Sequence, residues 1–352
     1  MEFLLSTDLI EYSQILRKYF SEKYTFEVLK KYIANGHTFT DKEKKNWQDL
    51  AELGCFSTFI AESQGGLGLG ALSLAVTIEE AARVLCPLPI FETLVLGALP
   101  LSLYLNEKEL SRFLPKIISG ETIFTGSLSS NLNISNKKGL NAEVTLIPNL
   151  EIADNLLLTA KSGLFYINKE SLSTLEKEEI TTFDLSSKYF QINFKEYTKF
   201  EVLADKIDLN LFYHQAIVFS SVALSAIAKK VLEMTVEYVK TRKQYGKTIG
   251  SFQAIQHKLA EMSVLVEQSL SLSRVAAWCI DNDTQQLQRT ALSAKSFASE
   301  NTIKVIEMAI QAHGGIGFTY EYELHYYLRK AQVLANSFTR TEDNYEKLAE
   351  LC

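Results

Sequence analysis

The chain has 352 residues, of which 47% are hydrophobic and 22% charged, a composition typical of a folded globular protein with more than one core. With 36 lysines and arginines against 42 acidic residues its net charge is −6, which disfavours nucleic acids and anionic membranes as partners. The cysteines stand singly, which favours reduced thiols in the cytoplasm, and no metal site is predicted.

The N-terminus lacks the basic region and long apolar stretch of a secretory signal. The longest apolar stretch, residues 85–105, is interrupted by Pro87, Glu92 and Pro100. Proline and a carboxylate are costly in a bilayer-spanning helix, so we expect no membrane span.

Residues 1–120 show helical apolar spacing and are predicted to form an N-terminal all-α domain. A helix start is predicted at Asp41, and Gly54 is expected to end that helix. The glycine-rich stretch 62–70 lacks the G-x-G-x-x-G spacing of a nucleotide-binding loop, which favours a tight turn between helices over a phosphate site.

The pattern then changes twice. Residues 121–204 carry short apolar or alternating runs separated by Asn, Ser, Gly and Asp, which predicts a small, mostly antiparallel β domain. From 205 to 352 the helical period returns in four long segments, which predicts a C-terminal helical bundle. The order all-α, all-β, all-α gives an α+β fold and argues against an alternating α/β sheet.

Two stretches in the C-terminal region suit an anionic, flat ligand. Residues 242–246, RKQYG, form a basic turn with an aromatic ring and a glycine between two predicted helices. Residues 311–318, QAHGGIGF, supply glycines near another helix end. A guanidinium pairs with phosphate oxygens, and glycines let a backbone approach a ligand closely. Each stretch alone could also be an ordinary solvated helix end.

Residues 241–262 and 311–321 resemble the signature of the acyl-CoA dehydrogenase family, and residues 65–68 and 153–154 extend the resemblance over most of the chain. The resemblance implies a helical N-terminal domain, a small β-barrel, a C-terminal four-helix bundle and FAD at a subunit interface. It assigns the FAD contacts of the chain's own site to Arg242, Gln244, Tyr245 and Gln253, and contacts with a neighbouring subunit's FAD to Gln311, Gly314 and Gly315.

The catalytic base is the main departure from the family. Counting from Arg329, the usual glutamate position falls at Phe338, and the other known position for the base falls at Ala216. Neither side chain can take a proton. Glu342 and Asp343 are the nearest carboxylates that could substitute, and the alternative is an exposed acidic helix start.

The β domain departs as well, because the family's Thr-Glu-Pro and Gly-Ser-Asp segments are replaced by residues 125–131, TGSLSSN, and the barrel is shortened. The hydroxyls available to replace the missing flavin contacts are those of Ser127, Ser129 and Ser130.

Three hypotheses follow. The favoured one makes the chain the base-lacking subunit of a hetero-oligomeric acyl-CoA dehydrogenase, a dimer or tetramer that passes electrons to a separate electron-transfer flavoprotein. The second is a homo-oligomer that uses an unusual base such as Glu342, or that runs a reduction. The third is a non-enzymatic scaffold that has lost FAD.

Overall fold

The computed structural model describes residues 5–128, the backbone of 133–135, and 139–351. Its N-terminal part is helical up to Ile118. The helices are α1 (Thr7–Lys23), α2 (Phe26–Ala34), α3 (Asp41–Glu52), α4 (Gly70–Arg83), a π-helical segment (Glu92–Ala98) that runs into α5 (Leu99–Tyr104), α6 (Glu107–Leu110) and α7 (Leu114–Ile118).

The predicted start and end of α3 are confirmed. The helix begins at Asp41, and the backbone N–H of the preceding Thr40 donates to Glu43 Oε2 at 3.1 Å, as in a capping box. Gly54 follows the helix with φ +79°, a conformation that glycine adopts without steric cost.

The glycine-rich loop before α4 is held by a contact with the C-terminal bundle. Asp281 Oδ2 accepts a hydrogen bond from the backbone N–H of Ala71 at 2.6 Å. A Cβ on Gly70, whose φ is +72°, would lie 2.4 Å from that oxygen. The glycine at position 70 is therefore explained by helix capping across two elements, without a ligand.

The central region contains two four-stranded sheets. The strands, with one short helix among them, are β1 (Phe124–Leu128), β2 (Asn133–Ser135), β3 (Gly139–Pro148), β4 (Asn155–Ala160), β5 (Gly163–Ile167), α8 (Lys169–Ser173), β6 (Glu178–Ile180), β7 (Tyr189–Tyr197) and β8 (Glu201–Asp205). The sheet orders are β1-β4-β5-β8 and β2-β3-β7-β6. The β1–β4 pair is parallel and the other pairs in these sheets are antiparallel, as the sequence predicts for most of them.

The C-terminal part is helical again, and its long helices form the predicted bundle, so the expected fold class is confirmed. Its elements are α9 (Leu209–Thr241), a hairpin of β9 (Lys243–Gln244) and β10 (Lys247–Thr248), α10 (Gln253–Asn282), α11 (Thr284–His313), α12 (Leu324–Asn336) and α13 (Thr341–Ala349). The domain limits 1–120, 121–204 and 205–352 stay a prediction.

Helix α9 is the central helix of this fold. By length and composition it could cross a membrane, but 83% of its most apolar window is buried inside the protein, as in a core helix. Phe212 and Phe219 pack into the core shared with the N-terminal helices, while Leu224 and Val231 pack into the core of the bundle. One helix therefore joins both cores.

A buried lysine cross-links three helices of the bundle. Lys295 of α11 is fully buried, and its ammonium donates to Ser220 Oγ of α9 at 2.8 Å and to the carbonyl oxygen of Leu334 in α12. Burial lowers the pKa of Lys295 to about 7. The charged form is disfavoured because both partners are neutral acceptors.

We predict that Lys295→Met removes a pH dependence of stability. In the wild type, the folded-state pKa of about 7 lies below the ordinary value of 10.5, so between these values the unfolded chain binds more protons and stability rises with pH. The variant should lose that rise and be more stable at and below pH 7 by roughly 1–4 kcal/mol, measured by denaturant unfolding from pH 6 to 10.

Lys304→Met is the control, because Lys304 lies on the same helix with a half-exposed side chain in a surface ion pair with Glu261. Its removal should change the free energy of unfolding by less than about 1 kcal/mol. Equal pH profiles for the wild type and Lys295→Met would contradict the prediction.

Candidate functional site

The basic turn at residues 242–246 is a tight hairpin at the end of α9. Tyr245 and Gly246 form its tip with φ values of +52° and +79°, the pair of positive angles found in two-residue hairpin turns. The backbone N–H of Ile249 donates to the carbonyl oxygen of Arg242 at 2.9 Å and closes the base of the hairpin. The turn is thus a built element and not a frayed helix end.

The predicted ligand-binding side chains of this turn face solvent. Arg242 and Gln244 are exposed, and Tyr245 is 93% exposed. Within the described part of the chain, Arg242 makes no ion pair. Gln253, the first residue of α10, is exposed as well. An exposed ring and an unpaired guanidinium are free to meet a ligand or a second subunit.

The second stretch follows α11. Gly314 has φ +65° and ψ −141°, a combination open to glycine but strained for any residue with a side chain. A Cβ added to Gly314 or to Gly315 would meet no atom within 4 Å, so both backbones border open space. Gln311 is exposed, and its Oε1 accepts a hydrogen bond from Lys258 Nζ of α10.

Tyr238 joins the two stretches. Its ring, one turn before Arg242, stacks on His313 with 4.2 Å between centroids, and its hydroxyl donates to the carbonyl oxygen of His313 at 3.3 Å. His313 Nε2 also lies 2.9 Å from the hydroxyl of Tyr322, and burial lowers the pKa of this histidine. The structure therefore brings both predicted stretches to one end of the bundle around a neutral, packed imidazole.

A cavity of about 470 Å³ lies between the N-terminal helices, the β domain and α12. Phe338 lies on its wall, with φ +69° and its ring 6.4 Å from that of Phe91. Ala216 is fully buried within α9. The two positions at which a base is expected thus offer an aromatic ring and a methyl group.

The two acidic residues at the start of α13 differ in their position. Both Glu342 and Asp343 are exposed, but Asp343 lines the cavity and Glu342 is not among the lining residues that the structure describes. If either carboxylate reaches a ligand in this cavity, the geometry favours Asp343.

Ser127 also lines the cavity, at the end of β1. Ser129 and Ser130 lie outside the described residues. Of these three serines, Ser127 is therefore the one that the structure places at the cavity.

Glu92 is a cavity residue that sequence reasoning missed. Its side chain lines the cavity, its residue is only 7% exposed, and its Oε1 accepts a hydrogen bond from Asn149 Nδ2 at 3.0 Å. Burial raises the pKa of this carboxyl, and the ammonium of Lys330 opposes the shift. The sequence features that could have indicated this residue are an acidic side chain within an apolar run and two prolines nearby. No sequence pattern predicts the π-helical turn that places this side chain at the cavity.

Comparison with known proteins agrees with this architecture. Residues 11–121 match the N-terminal domain of acyl-CoA dehydrogenases, and residues 209–336 match the C-terminal domain. A probable acyl-CoA dehydrogenase of Bacillus subtilis, YngJ, is 27% identical over 322 residues, which cover 82% of this chain and 84% of that protein. The chain belongs to the acyl-CoA dehydrogenase family, whose members are flavin-dependent oxidoreductases.

Solved structures show the same fold. Butyryl-CoA dehydrogenase of Megasphaera elsdenii superposes with a TM-score of 0.87 and 20% identity, over 100% of this chain and 99% of that one. A chain of the ChsE4-ChsE5 complex of Mycobacterium tuberculosis gives a TM-score of 0.85 with 19% identity, over 99% of this chain and 98% of that one.

We predict that Gly314→Ala destabilises the fold while Gly315→Ala does not. Alanine at position 314 must adopt a strained backbone conformation at a cost of about 1–3 kcal/mol. Gly315 has no positive φ, and its missing Cβ faces open space, so it serves as the matched control. Thermal and denaturant unfolding of both variants measure the difference, and equal stability of the two would contradict the backbone argument.

Proposed function

We propose that the chain is the base-lacking subunit of a hetero-oligomeric, FAD-dependent acyl-CoA dehydrogenase. One observation carries the proposal: Phe338 and Ala216 occupy the two positions at which the base is expected, while the turn at residues 242–246 and the glycines after α11 remain suited to a flavin nucleotide. The chain has features of a cofactor site without the usual proton acceptor.

The exposed residues at the end of the bundle fit FAD. Arg242 would bind the diphosphate, because a guanidinium offers paired N–H donors to phosphate oxygens. Gln244, Tyr245 and Gln253 would line the same cofactor. Gln311, Gly314 and Gly315 would face the FAD of a neighbouring subunit, where the absent side chains leave room for close approach. When bound, FAD supplies a hydride acceptor.

The chain's own residues would hold the acyl thioester away from water. The cavity wall at Phe338 and Phe91 is aromatic, so it excludes solvent but cannot accept the α proton. A thioester held in this cavity would therefore keep its α proton, and a carboxylate of the partner subunit would remove the α proton of a thioester bound at the partner's own site. The two-component assembly of the ChsE4-ChsE5 complex, which shares this fold, supports such an arrangement. We place the assembly in the cytoplasm, with an electron-transfer flavoprotein as electron acceptor.

One observation favours a second candidate. Asp343 lines the cavity, so a homo-oligomer could use it as the base in place of Glu342, which the sequence favours. The third hypothesis, a scaffold without FAD, requires that the exposed turn and glycines serve subunit contacts only.

We predict that the chain, co-purified from its native cell extract, carries a second subunit and shows the absorbance of bound flavin near 450 nm. Arg242→Ala should lower the FAD content at least about tenfold, because the diphosphate loses a charge-assisted pair worth about 1.5–3 kcal/mol. Absorbance spectra and mass analysis of the purified complex measure both. A colourless wild-type complex would contradict both enzyme hypotheses and support the scaffold hypothesis.

Lys240→Ala is the matched control for Arg242→Ala. Lys240 lies in the last turn of the same helix and pairs with Glu237 on the surface. Its loss should leave FAD content unchanged. A similar loss of FAD in both variants would mean that general positive charge, and not the Arg242 guanidinium, holds the cofactor.

We predict that Phe338→Glu restores proton abstraction in this chain's own cavity. Homo-oligomers of the FAD-loaded wild type should not turn over acyl-CoA, whereas Phe338→Glu should show activity and Phe338→Gln, of equal size, should not. Flavin bleaching under anaerobic conditions measures the reaction. If wild-type homo-oligomers are active and Asp343→Asn abolishes that activity at least about a hundredfold, the homo-oligomer hypothesis replaces the one proposed here.

A further inference from the structure

The cavity is not uniformly apolar. One part of its wall, which we call the polar wall, consists of Glu92, Ser187, Tyr189 and Lys330. Glu92 comes from the π-helical segment, Ser187 and Tyr189 from the start of β7 and the loop before it, and Lys330 from α12. Side chains from three separate elements therefore converge on one region of the cavity.

Lys330 is neutralised within this wall. Its Nζ donates to Asp184 Oδ2 at 2.8 Å and to Ser187 Oγ at 3.3 Å, and the hydroxyl of Tyr189 donates to the same Asp184 oxygen at 2.9 Å. Burial alone would raise the pKa of Asp184, but Lys330 and the hydrogen bonds of Ser186 lower it. Asp184 and Lys330 thus form a charge-balanced pair.

Lys330 keeps a hydrogen-bond donor to spare. An ammonium has three N–H groups, and two of them are used by Asp184 and Ser187. Within the residues that the structure describes, no third acceptor for Lys330 is found. The remaining N–H belongs to a side chain that lines the cavity, so a bound ligand can use it.

Glu92 adds a second donor. Burial raises the pKa of Glu92 and so shifts this carboxyl toward its protonated form, which carries an O–H. Asn149 Nδ2 already donates to Oε1. A protonated carboxyl held by an amide on one oxygen can donate its proton to an acceptor in the cavity.

The charge of the polar wall selects among oxygen-bearing ligands. Because Asp184 balances Lys330, the wall offers hydrogen-bond donors but no excess positive charge. A ligand carboxylate would be buried without a matching cation, which is costly. A keto or hydroxyl oxygen accepts hydrogen bonds without that cost.

We infer that the polar wall is a subsite that selects acyl-CoA thioesters whose acyl group carries a neutral keto or hydroxyl oxygen beyond the thioester carbonyl. This inference rests on the proposed function, since it takes the cavity as the acyl site. A purely alkyl chain would bury the two donors unpaired, and each unpaired buried donor disfavours binding. The cavity therefore discriminates against unmodified fatty acyl chains.

The test is isothermal titration of the purified complex with four thioesters of equal chain length: octanoyl-CoA, 7-oxooctanoyl-CoA, 8-hydroxyoctanoyl-CoA and suberyl-CoA. We expect the oxo or hydroxy compound to bind at least about tenfold more tightly than octanoyl-CoA, and suberyl-CoA to bind no better than octanoyl-CoA. Glu92→Leu should reduce that preference to about threefold or less.

Two further variants keep the test independent of folding defects. Glu92→Gln retains an N–H donor and should keep most of the preference. Ser337→Ala removes another polar group that lines the cavity, outside the polar wall, and should leave the preference unchanged.

The outcomes separate this inference from the proposed function. Three results would each overturn the subsite and leave the proposed function intact. Octanoyl-CoA could bind as tightly as both oxygenated compounds, suberyl-CoA could bind most tightly of all, or Glu92→Leu could leave the preference unchanged. Failure of all four thioesters to bind would overturn both.

Discussion

The burial of α9 is the constraint on which the rest of the structure depends. The helix contributes to the core of the N-terminal helices through Phe219 and to the core of the bundle through Val231. It lines the cavity with Ala223 and Ile227, and it ends at the turn that carries Arg242. Because this long helix is buried on all sides from Gln215 to Ala228, the cavity and the exposed turn cannot move independently without disturbing a core.

The end of the bundle and the cavity differ in how far this chain alone completes them. The end of the bundle keeps exposed groups and open backbone, which make a complete site only when another molecule covers them. The cavity, in contrast, is lined by residues of this chain, and Phe338 occupies a part of its wall where a carboxylate would have to be paired or hydrated. A cavity without a base would leave the end of the bundle unaffected, which is compatible with the proposed division of roles between unlike subunits.

The sequence predicted those features that depend on local patterns. Apolar spacing and turn residues were sufficient for the α+β fold, the start of α3 at Asp41 and the helices of the bundle. The parallel pairing of β1 with β4 and the π-helical turn at Glu92 depend on long-range packing, which single-sequence patterns do not contain. For the same reason, the sequence favours Glu342 as the substitute base, whereas among the described lining residues it is Asp343 that borders the cavity. The assigned FAD contacts stay predictions.

The capping of α4 by Asp281 has a consequence for how this chain can diverge. The carboxylate occupies the volume in which a Cβ of residue 70 would stand, and it also satisfies the N–H of Ala71. Replacement of the glycine displaces the carboxylate, whereas replacement of the aspartate leaves an unsatisfied N–H above an empty space. Among relatives of this chain, positions 70 and 281 are therefore expected to change together, although they are 211 positions apart in sequence.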